Sequence, residues 1–208
     1  MNILTVCTGN ICRSPLVEHL LTQAFSDLDV SVASAGTRAR GGMTMPREAI
    51  ETAVSLGIAR PLDVEHRARL LTPALLDGVD LVLPLAREHR REIVELAPAL
   101  TRKAFTLREF GRLAAGMSDE ELLSGTAASA QDATPTALLE GFLKTLGARR
   151  GLIDPPRTPL DDDVIDPFGR SADVYRQTAR ELEQSVPTVV RVVRLAFAAT
   201  ATTRTPDQ

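Results

Sequence analysis

The chain has 208 residues, of which 44% are hydrophobic and 25% charged, and its formal net charge is −3. This length suits one α/β domain, and the composition excludes disordered, collagen-like and multi-spanning membrane proteins. The small negative charge gives no general attraction for nucleic acid or anionic lipid, so neither is expected as a partner. Aromatic residues make up only 3%, which predicts an aliphatic core and no base-stacking surface.

The cysteine content and the apolar segments predict a cytoplasmic protein. Only Cys7 and Cys12 are present, whereas a disulfide-stapled secreted scaffold uses more cysteines and spreads them along the chain. The apolar start at residues 3–6 is too short for a signal peptide. The most apolar late segment, 186–199, contains two arginines and is shorter than the roughly 20 residues of a membrane span. The sequence leaves the oligomeric state open.

Strand-like and helix-like segments alternate through the first half of the chain. Short apolar runs predict strands, and apolar residues at helical spacing predict helices between them. The predicted strands are 2–6, 30–36, 81–83 and, more weakly, 104–107, and the predicted helices begin at Ser14-Pro15 and cover 46–57 and 87–97. Ser14 would be an N-cap and Pro15 the first helical residue. This order predicts an α/β fold, doubly wound and flavodoxin-like, with a four-stranded parallel sheet and helices on both faces.

The second half is less regular. Residues 113–160 are rich in Ser, Thr, Ala, Gly and Pro, with one helical piece at 136–146, and we expect an insertion or elaborated connection there. A long helix is predicted from residue 171 to about 199, which Pro187 should kink or divide. Residues 200–208 should form a frayed tail, and the whole chain, 1–208, is expected to be a single domain.

The most informative segment runs from Cys7 to Pro15, between the first predicted strand and the next helix. A loop that wraps a helix start turns backbone N–H groups inward, and with the helix dipole these form a cradle for a tetrahedral oxyanion. Gly9 and Asn10 suit the left-handed backbone angles of so tight a loop. The residues expected to bind phosphate are Thr8, Gly9, Asn10, Ile11, Cys12 and Ser14.

Cys7 lies at the centre of this predicted cradle, and Arg13 closes it six residues later. The positive field favours a Cys7 thiolate, which is a nucleophile when it lies below a phosphorus atom. Arg13 can hold two anion oxygens with its planar guanidinium. Taken alone, Cys7 is better explained as a small buried apolar residue. The strand before the loop and the helix after it favour the catalytic interpretation.

The loop resembles the active-site loop of the low-molecular-weight protein tyrosine phosphatases. Four further segments resemble motifs of this family in the same order. They are Ser34-Ala35-Gly36-Thr37, His66-Arg67-Ala68-Arg69, Glu88-His89-Arg90-Arg91 and Asp166-Pro167-Phe168-Gly169. The similarity spans residues 1–112 and 161–198, which indicates a bacterial member with an insertion before the Asp-Pro segment.

The resemblance implies a phosphatase for phosphate monoesters, with phosphotyrosine in proteins as the expected substrate, a small phosphate ester as the alternative, and inorganic phosphate as product. It implies that Cys7 forms a cysteinyl-phosphate and that Arg13 holds the phosphate oxygens. Asp166 would protonate the leaving phenolate and then activate water. No cofactor is expected, and no metal, because the three histidines show no metal-ligand spacing.

The resemblance also assigns supporting residues around the loop. Ser14 would donate a hydrogen bond to the Cys7 thiolate. Ser34 and His66 would brace Asn10, whose side-chain amide pins the loop.

The expected substrate rim is poor in aromatic residues. Phe168 is the aromatic that follows the Asp-Pro pair, where two are often found in the family. Arg38 and Arg40 stand where the family often has an aromatic, and they would favour an acidic or multiply charged substrate or would simply be solvated.

Cys12 has two interpretations. It could form a disulfide with Cys7 on oxidation and so protect the nucleophile from over-oxidation. Alternatively, it only packs beneath the loop.

Two other functions stay open at this point. An arsenate reductase with an internal disulfide relay is excluded, because no cysteine follows Cys12, but one that uses an external thiol is not. A weakly active phosphate- or phosphopeptide-binding module is a second alternative, although such a module needs neither a nucleophile nor an acid.

Overall fold

The computed structural model describes residues 1–58, 66–126 and 134–202 of the chain. Within these ranges three strands form one parallel sheet in the order β2-β1-β3. They are β1 (Asn2–Cys7), β2 (Ser31–Gly36) and β3 (Leu81–Pro84). Cys7 is aligned with Gly36, and Val6 with Pro84, so the carboxyl ends of all three strands meet at one edge. The predicted parallel α/β class is confirmed.

Helices connect the strands and cover the sheet. In the described ranges they are α1 (Arg13–Ala24), α2 (Arg47–Ser55), α3 (Pro73–Leu76), α4 (Arg87–Leu96), α5 (Leu107–Ala115), α6 (Asp119–Ser124), α7 (Pro135–Ala148) and α8 (Ala172–Thr202). Short 3-10 turns lie at Pro98–Arg102, Arg149–Gly151 and Pro159–Asp162.

The central strand β1 is buried on both faces. Ile3 and Cys7 belong to a larger core with residues of α1 and α8, whereas Leu4 and Val6 belong to a smaller core with Ile93 of α4. Alternate residues of a strand point to opposite faces, so helices on both sides require apolar residues at successive positions. This explains the continuous apolar run at the start of the sequence.

The predicted fourth strand is wrong. Residues 104–107 are reduced to one parallel bridge between Ala104 and Val82. Thr106 instead caps α5: its side chain accepts a hydrogen bond from the N–H of Glu109, whose carboxylate accepts one from the N–H of Thr106. This reciprocal cap ends the extended chain after two residues.

The predicted start of α1 is also wrong. The helix begins at Arg13, so Ser14 is its second residue and Pro15 its third. Ser14 is not the cap, because Cys12 holds the N-cap position, and the Ser14 hydroxyl lies 3.0 Å from Cys7 Sγ instead. Pro15 is tolerated there because the first helical N–H groups have no intrahelical partner to lose.

The long C-terminal helix is confirmed, but it is not divided. α8 runs without interruption from Ala172 to Thr202 and includes Pro187. Pro187 and Glu183, whose carbonyl loses its helical partner, are both exposed, so water can serve that carbonyl. The helix extends into the predicted tail as far as Thr202, and residues 203–208 lie outside the described residues.

The segment predicted as an insertion contains two helices, α6 and α7, and residues 127–133 between them lie outside the described residues. The predicted helical piece is therefore confirmed. Leu139, Phe142 and Leu146 of α7 are fully buried in the same core as Leu16 of α1 and Val189 of α8. That a single domain comprises residues 1–208 stays a prediction.

Candidate active site

The Cys7–Pro15 loop lies at the carboxyl end of the central strand and leads directly into α1. Asn10 has a φ of 53°, the one positive φ at a non-glycine residue in the described part of the chain. A short polar side chain tolerates this left-handed conformation better than most. The left-handed angle predicted for Asn10 is confirmed, whereas the one predicted for Gly9 is wrong, because its φ is not positive.

Cys7 is buried at the base of the loop, with 2% of its surface exposed. The backbone N–H of Asn10 donates to Cys7 Sγ at 3.2 Å, and Ser14 Oγ lies 3.0 Å from the same sulfur. The start of α1 adds the positive end of a helix dipole. Two donors and a helix start around one sulfur suit a thiolate nucleophile.

A buried polar network holds Asn10. Its side-chain amide donates to Ser34 Oγ at 2.7 Å, and its Oδ1 accepts from the backbone N–H of Arg69 at 2.9 Å. The ring of His66 donates from Nε2 to the carbonyl of Asn10 at 2.7 Å. Ser34 Oγ then donates to Glu18 Oε2 at 2.5 Å. The structure thus places Ser34 and His66 against Asn10, as expected, and adds Glu18 and Arg69.

Gly36, at the end of β2, lies against this loop. A Cβ there would lie 2.6 Å from the carbonyl oxygen of Thr8 and 2.8 Å from the backbone nitrogen of Asn10. Gly36→Ala should therefore displace the loop, cost about 1–3 kcal/mol of unfolding free energy and reduce kcat, as measured by urea denaturation and p-nitrophenyl phosphate turnover. Gly41→Ala is the matched control, since a Cβ there meets nothing within 4 Å. Equal stability and activity of the two variants would contradict the tight fit at Gly36.

Arg13 is held at the mouth of the loop by three acceptors. Its Nη1 donates to the carbonyl of Val164 at 3.0 Å, and its Nη2 donates to Asp166 Oδ2 at 2.6 Å and to Thr8 Oγ1 at 3.4 Å. The Arg13 side chain is 5% exposed, whereas that of Asp166 is 50% exposed. Arginine and aspartate, 153 residues apart in sequence, therefore meet over the loop.

Contacts with α8 position the segment that carries Asp166. The backbone N–H of Ile165 donates to Glu181 Oε2 at 2.9 Å, and Thr178 Oγ1 donates to the carbonyl of Ile165 at 3.2 Å. The N–H of Phe168 donates to Asp166 Oδ1 at 3.2 Å. The backbone next to Asp166 is therefore fixed by hydrogen bonds, while the Asp166 carboxylate is half-exposed to solvent.

Two carboxylates of the acidic run before Asp166 are paired with arginines of other helices. Asp162 is buried and accepts two hydrogen bonds from Arg112. Asp163 accepts hydrogen bonds from the backbone and side chain of Arg87. Ion pairs to helices α4 and α5 therefore fix this segment. These long-range pairs could not be recognised from the local sequence.

His89 touches the loop from α4. Its Nε2 lies 2.9 Å from Thr8 Oγ1, and its Nδ1 is buried without a hydrogen-bond partner. Burial lowers the pKa of His89 to about 3, and the nearby Arg13 and Arg38 act in the same direction. His89 is therefore neutral at pH 7 and supports Thr8 without adding charge.

Cys12 is buried beneath the loop, and its Sγ lies 3.9 Å from Tyr175 Oη of α8. Burial raises the pKa of Cys12 to about 12, with a smaller opposing effect from Tyr175. The thiol is therefore neutral at pH 7, which suits packing and slows any attack on an oxidised Cys7.

Oxidation by peroxide tests the two interpretations of Cys12. If it protects Cys7, its thiolate attacks the Cys7 sulfenic acid, an S–S bond forms, the S–O bond breaks, and hydroxide leaves and takes a proton from solvent to become water. Because the pKa of Cys12 is about 12, the thiolate fraction and the closure rate should rise about tenfold from pH 7 to pH 8. Under this protective interpretation, mass spectrometry should show a Cys7–Cys12 disulfide, and Cys12→Ser should make the loss of activity irreversible. Sulfinic Cys7 without any link in the wild type would leave Cys12 a packing residue.

A cavity of about 380 Å³ opens above Cys7. Besides loop residues, Arg38, Arg40, Met43, Asp166 and Phe168 line it. All three predicted rim residues therefore lie at the cavity. Phe168 is 57% exposed, and Arg38 is mostly exposed and donates to Glu92 at 2.9 Å. Met43 adds an apolar wall that no sequence motif indicated.

One group of potential metal ligands lies within the described residues. Glu18, His19 and His66 bring potential metal-ligand atoms within 4.8 Å of one another, a grouping that the sequence spacing of the histidines did not suggest. No helix in the ranges 1–58, 66–126 and 134–202 is both long and apolar enough to cross a membrane.

Comparisons with known proteins agree with the class of site. Residues 2–121 match the family model described as low molecular weight phosphotyrosine protein phosphatase. A probable low molecular weight protein-tyrosine-phosphatase, EpsP of Ralstonia solanacearum, is 43% identical over 108 residues, which cover 51% of this chain and 70% of that protein. The fold and loop define a cysteine-dependent phosphatase. The chain belongs to the low molecular weight phosphotyrosine protein phosphatase family.

Two further relatives match most of the chain. The protein-arginine-phosphatase of Bacillus subtilis is 29% identical over 186 residues, which cover 88% of this chain and 91% of that protein. A solved structure of the arginine phosphatase YwlE, a C7S mutant with a phosphorylated active-site serine, has a TM-score of 0.63 and 27% identity. It covers 93% of this chain and 96% of its own.

Proposed function

We propose that this phosphatase hydrolyses phosphotyrosine in proteins through a cysteinyl-phosphate on Cys7. The main support for phosphotyrosine is the cavity above Cys7, where Ile11, Met43 and Phe168 offer apolar contacts to a phenyl ring. The phosphorylated serine in the YwlE structure supports the position of the nucleophile, because in that protein the equivalent residue carries a phosphoryl group.

In the first step the phosphate binds the loop N–H groups and Arg13. Its oxygens compete with Asp166 for Arg13 Nη2, which frees the Asp166 carboxyl to face the leaving oxygen. Cys7 Sγ attacks phosphorus in line, an S–P bond forms, and the O–P bond to the phenol breaks. Asp166 gives its proton to the departing oxygen, so tyrosine leaves as the neutral phenol.

In the second step water replaces the phenol. Asp166, now ionised, takes a proton from that water as its oxygen attacks phosphorus. The S–P bond breaks, inorganic phosphate leaves, and Cys7 returns as a thiolate. The donors from Asn10 and Ser14 to Cys7 Sγ stabilise this leaving thiolate.

The proton transfer is tested with two leaving groups. A phenolate of pKa about 10 needs protonation as the bond breaks, whereas a nitrophenolate leaves more easily. Asp166→Asn should therefore slow phosphoenzyme formation from phenyl phosphate far more than from p-nitrophenyl phosphate, as measured by rapid quench. Asp161→Asn is the matched control, because Asp161 lies outside the cavity above Cys7. Equal slowing of both substrates by Asp166→Asn would mean that Asp166 is not the acid.

Phosphoarginine in proteins is the second candidate substrate, favoured by the 186-residue match to the protein-arginine-phosphatase. A guanidinium leaving group needs acceptors beyond the phosphate site. Among the residues that line the described cavity, Asp166 is the acid. Arg13, Arg38 and Arg40 already bring three guanidinium cations there, and they oppose a fourth from the substrate. The cavity therefore favours phosphotyrosine.

Matched peptides distinguish the two substrates. Peptides of one sequence that carry phosphotyrosine or phosphoarginine at the same position should differ in kcat/KM by at least about tenfold in favour of phosphotyrosine. A preference for phosphoarginine would assign the chain to the second function. Thiol-dependent turnover of arsenate, measured beside them, tests the external-thiol arsenate reductase.

A reducing cytoplasmic location suits this chemistry, because the reaction needs Cys7 as a free thiolate. The proposed partners are phosphorylated proteins. The net charge of −3 gives no support for nucleic acid or anionic membrane as partners.

A further inference from the structure

A group of potential metal ligands lies directly behind the phosphate loop. Glu18 and His19 are neighbours on α1, and His66 follows β2 in the chain. One ligand atom from each lies within 4.8 Å of the other two. Two imidazoles and one carboxylate are a ligand set that binds Zn²⁺ and leaves a fourth position for water.

His66 is already prepared to act as a ligand. The residue is 8% exposed, and its Nε2 donates to the carbonyl of Asn10 at 2.7 Å. Because a carbonyl accepts and never donates, this contact puts the ring proton on Nε2 and leaves a lone pair on Nδ1. A histidine that binds a metal through one ring nitrogen typically donates a hydrogen bond from the other nitrogen to a carbonyl or carboxylate. That hydrogen bond fixes both the tautomer and the orientation of the ring.

We propose that Glu18, His19 and His66 form a binding site for a divalent transition-metal ion, with Zn²⁺ as the preferred occupant. The mixed nitrogen and oxygen ligands favour Zn²⁺ over the oxygen-seeking Mg²⁺ and Ca²⁺. The site is regulatory: it lies outside the cavity above Cys7 and touches the loop from behind.

Hydrogen bonds connect the site to the nucleophile. Glu18 Oε2 accepts from Ser34 Oγ, which accepts from the amide of Asn10. The same amide donates to Ser14 Oγ at 3.0 Å, and Ser14 Oγ lies 3.0 Å from Cys7 Sγ. A cation on Glu18 draws charge from its carboxylate and weakens the acceptor on which Ser34 and then Asn10 depend. Occupancy should therefore lower kcat.

The first test is metal binding to the Cys7→Ser protein, in which the nucleophilic thiol cannot compete for Zn²⁺. Calorimetry should show one Zn²⁺ per chain, and Co²⁺ should give the visible bands of a four- or five-coordinate ion. In this background His19→Gln should weaken Zn²⁺ binding at least about tenfold, because loss of even a ligand's partner costs roughly 10- to 100-fold. His19→Asp, which restores an ionisable ligand, should bind more tightly than His19→Gln.

Equal Zn²⁺ affinity with and without His19 would overturn the site. No binding at about 100 μM Zn²⁺ would also overturn it, because a site with three good ligands should be saturated with Zn²⁺ well below that concentration. Thermal melts without metal check that each variant folds. The Zn²⁺-binding measurement does not depend on any enzymatic activity.

The second test concerns the link to the loop and rests on the proposed phosphatase function. At saturating p-nitrophenyl phosphate, Zn²⁺ should lower the kcat of the wild type and leave that of His19→Gln unchanged. Zn²⁺ bound to Cys7 competes with substrate, so it raises KM in both proteins. The same loss of kcat in both would overturn the link even where the binding test succeeds.

Discussion

Cys7→Ser should lose phosphatase turnover by about 10³-fold or more, because a serine hydroxyl is not ionised at neutral pH and the covalent route is lost. The contacts around residue 7 come from the N–H of Asn10 and from Ser14, and both can donate to a serine oxygen. The variant should therefore keep its fold and its affinity for inorganic phosphate. Steady-state kinetics and phosphate binding by calorimetry measure the two properties separately.

Retention of more than about one hundredth of wild-type kcat would remove Cys7 as the nucleophile, since loss of a covalent route normally costs several decades. Loss of phosphate binding together with activity would show instead that the substitution had disrupted the loop.

Arg13→Lys should lower kcat/KM by about 10²-fold or more, although it keeps the positive charge. The guanidinium donates through two different nitrogens, Nη1 to the carbonyl of Val164 and Nη2 towards Asp166. A lysine ammonium is a point charge and cannot hold both the structural contact and two phosphate oxygens. The measurement is kcat/KM on p-nitrophenyl phosphate.

Arg40→Lys is the matched control, because Arg40 lies at the exposed rim of the same cavity. It should change kcat/KM only slightly. Near-normal kinetics of Arg13→Lys would contradict the need for a planar guanidinium with two donor nitrogens at this position.

The first strand, which leads into the site, was the most predictable element. The apolar run in residues 2–6 was recognisable as a strand because helices cover both of its faces, so Ile3, Leu4 and Val6 are all buried. Ala104 to Leu107 was predicted as a strand from apolar content alone, and the Thr106–Glu109 cap decided otherwise. Pro187 suggested a divided helix, yet an exposed proline within a helix of 31 residues is tolerated.

The predicted site residues meet in space, but their supports were visible only in three dimensions. Cys7, Arg13 and Ser14 belong to one short segment, and residue spacing suffices to place them. Glu18 and Met43 belong to no motif: Glu18 ends a chain of hydrogen bonds through Ser34, and Met43 reaches the cavity wall. Such residues are selected by long-range contacts, which a local pattern cannot encode.

The two-step mechanism requires that a phosphoryl group becomes bound to Cys7. Asp166→Asn, mixed with p-nitrophenyl phosphate and quenched in denaturant within milliseconds, should accumulate this intermediate, because Asp166 also activates the water of the second step. Cleavage after Arg13 yields peptide 1–13, and fragmentation by mass spectrometry assigns the added phosphate to Cys7 or Cys12. We expect the phosphate on Cys7, and none at this position in Cys7→Ser on the same time scale. Turnover without any phosphorylated residue, or phosphate on another side chain, would contradict the mechanism.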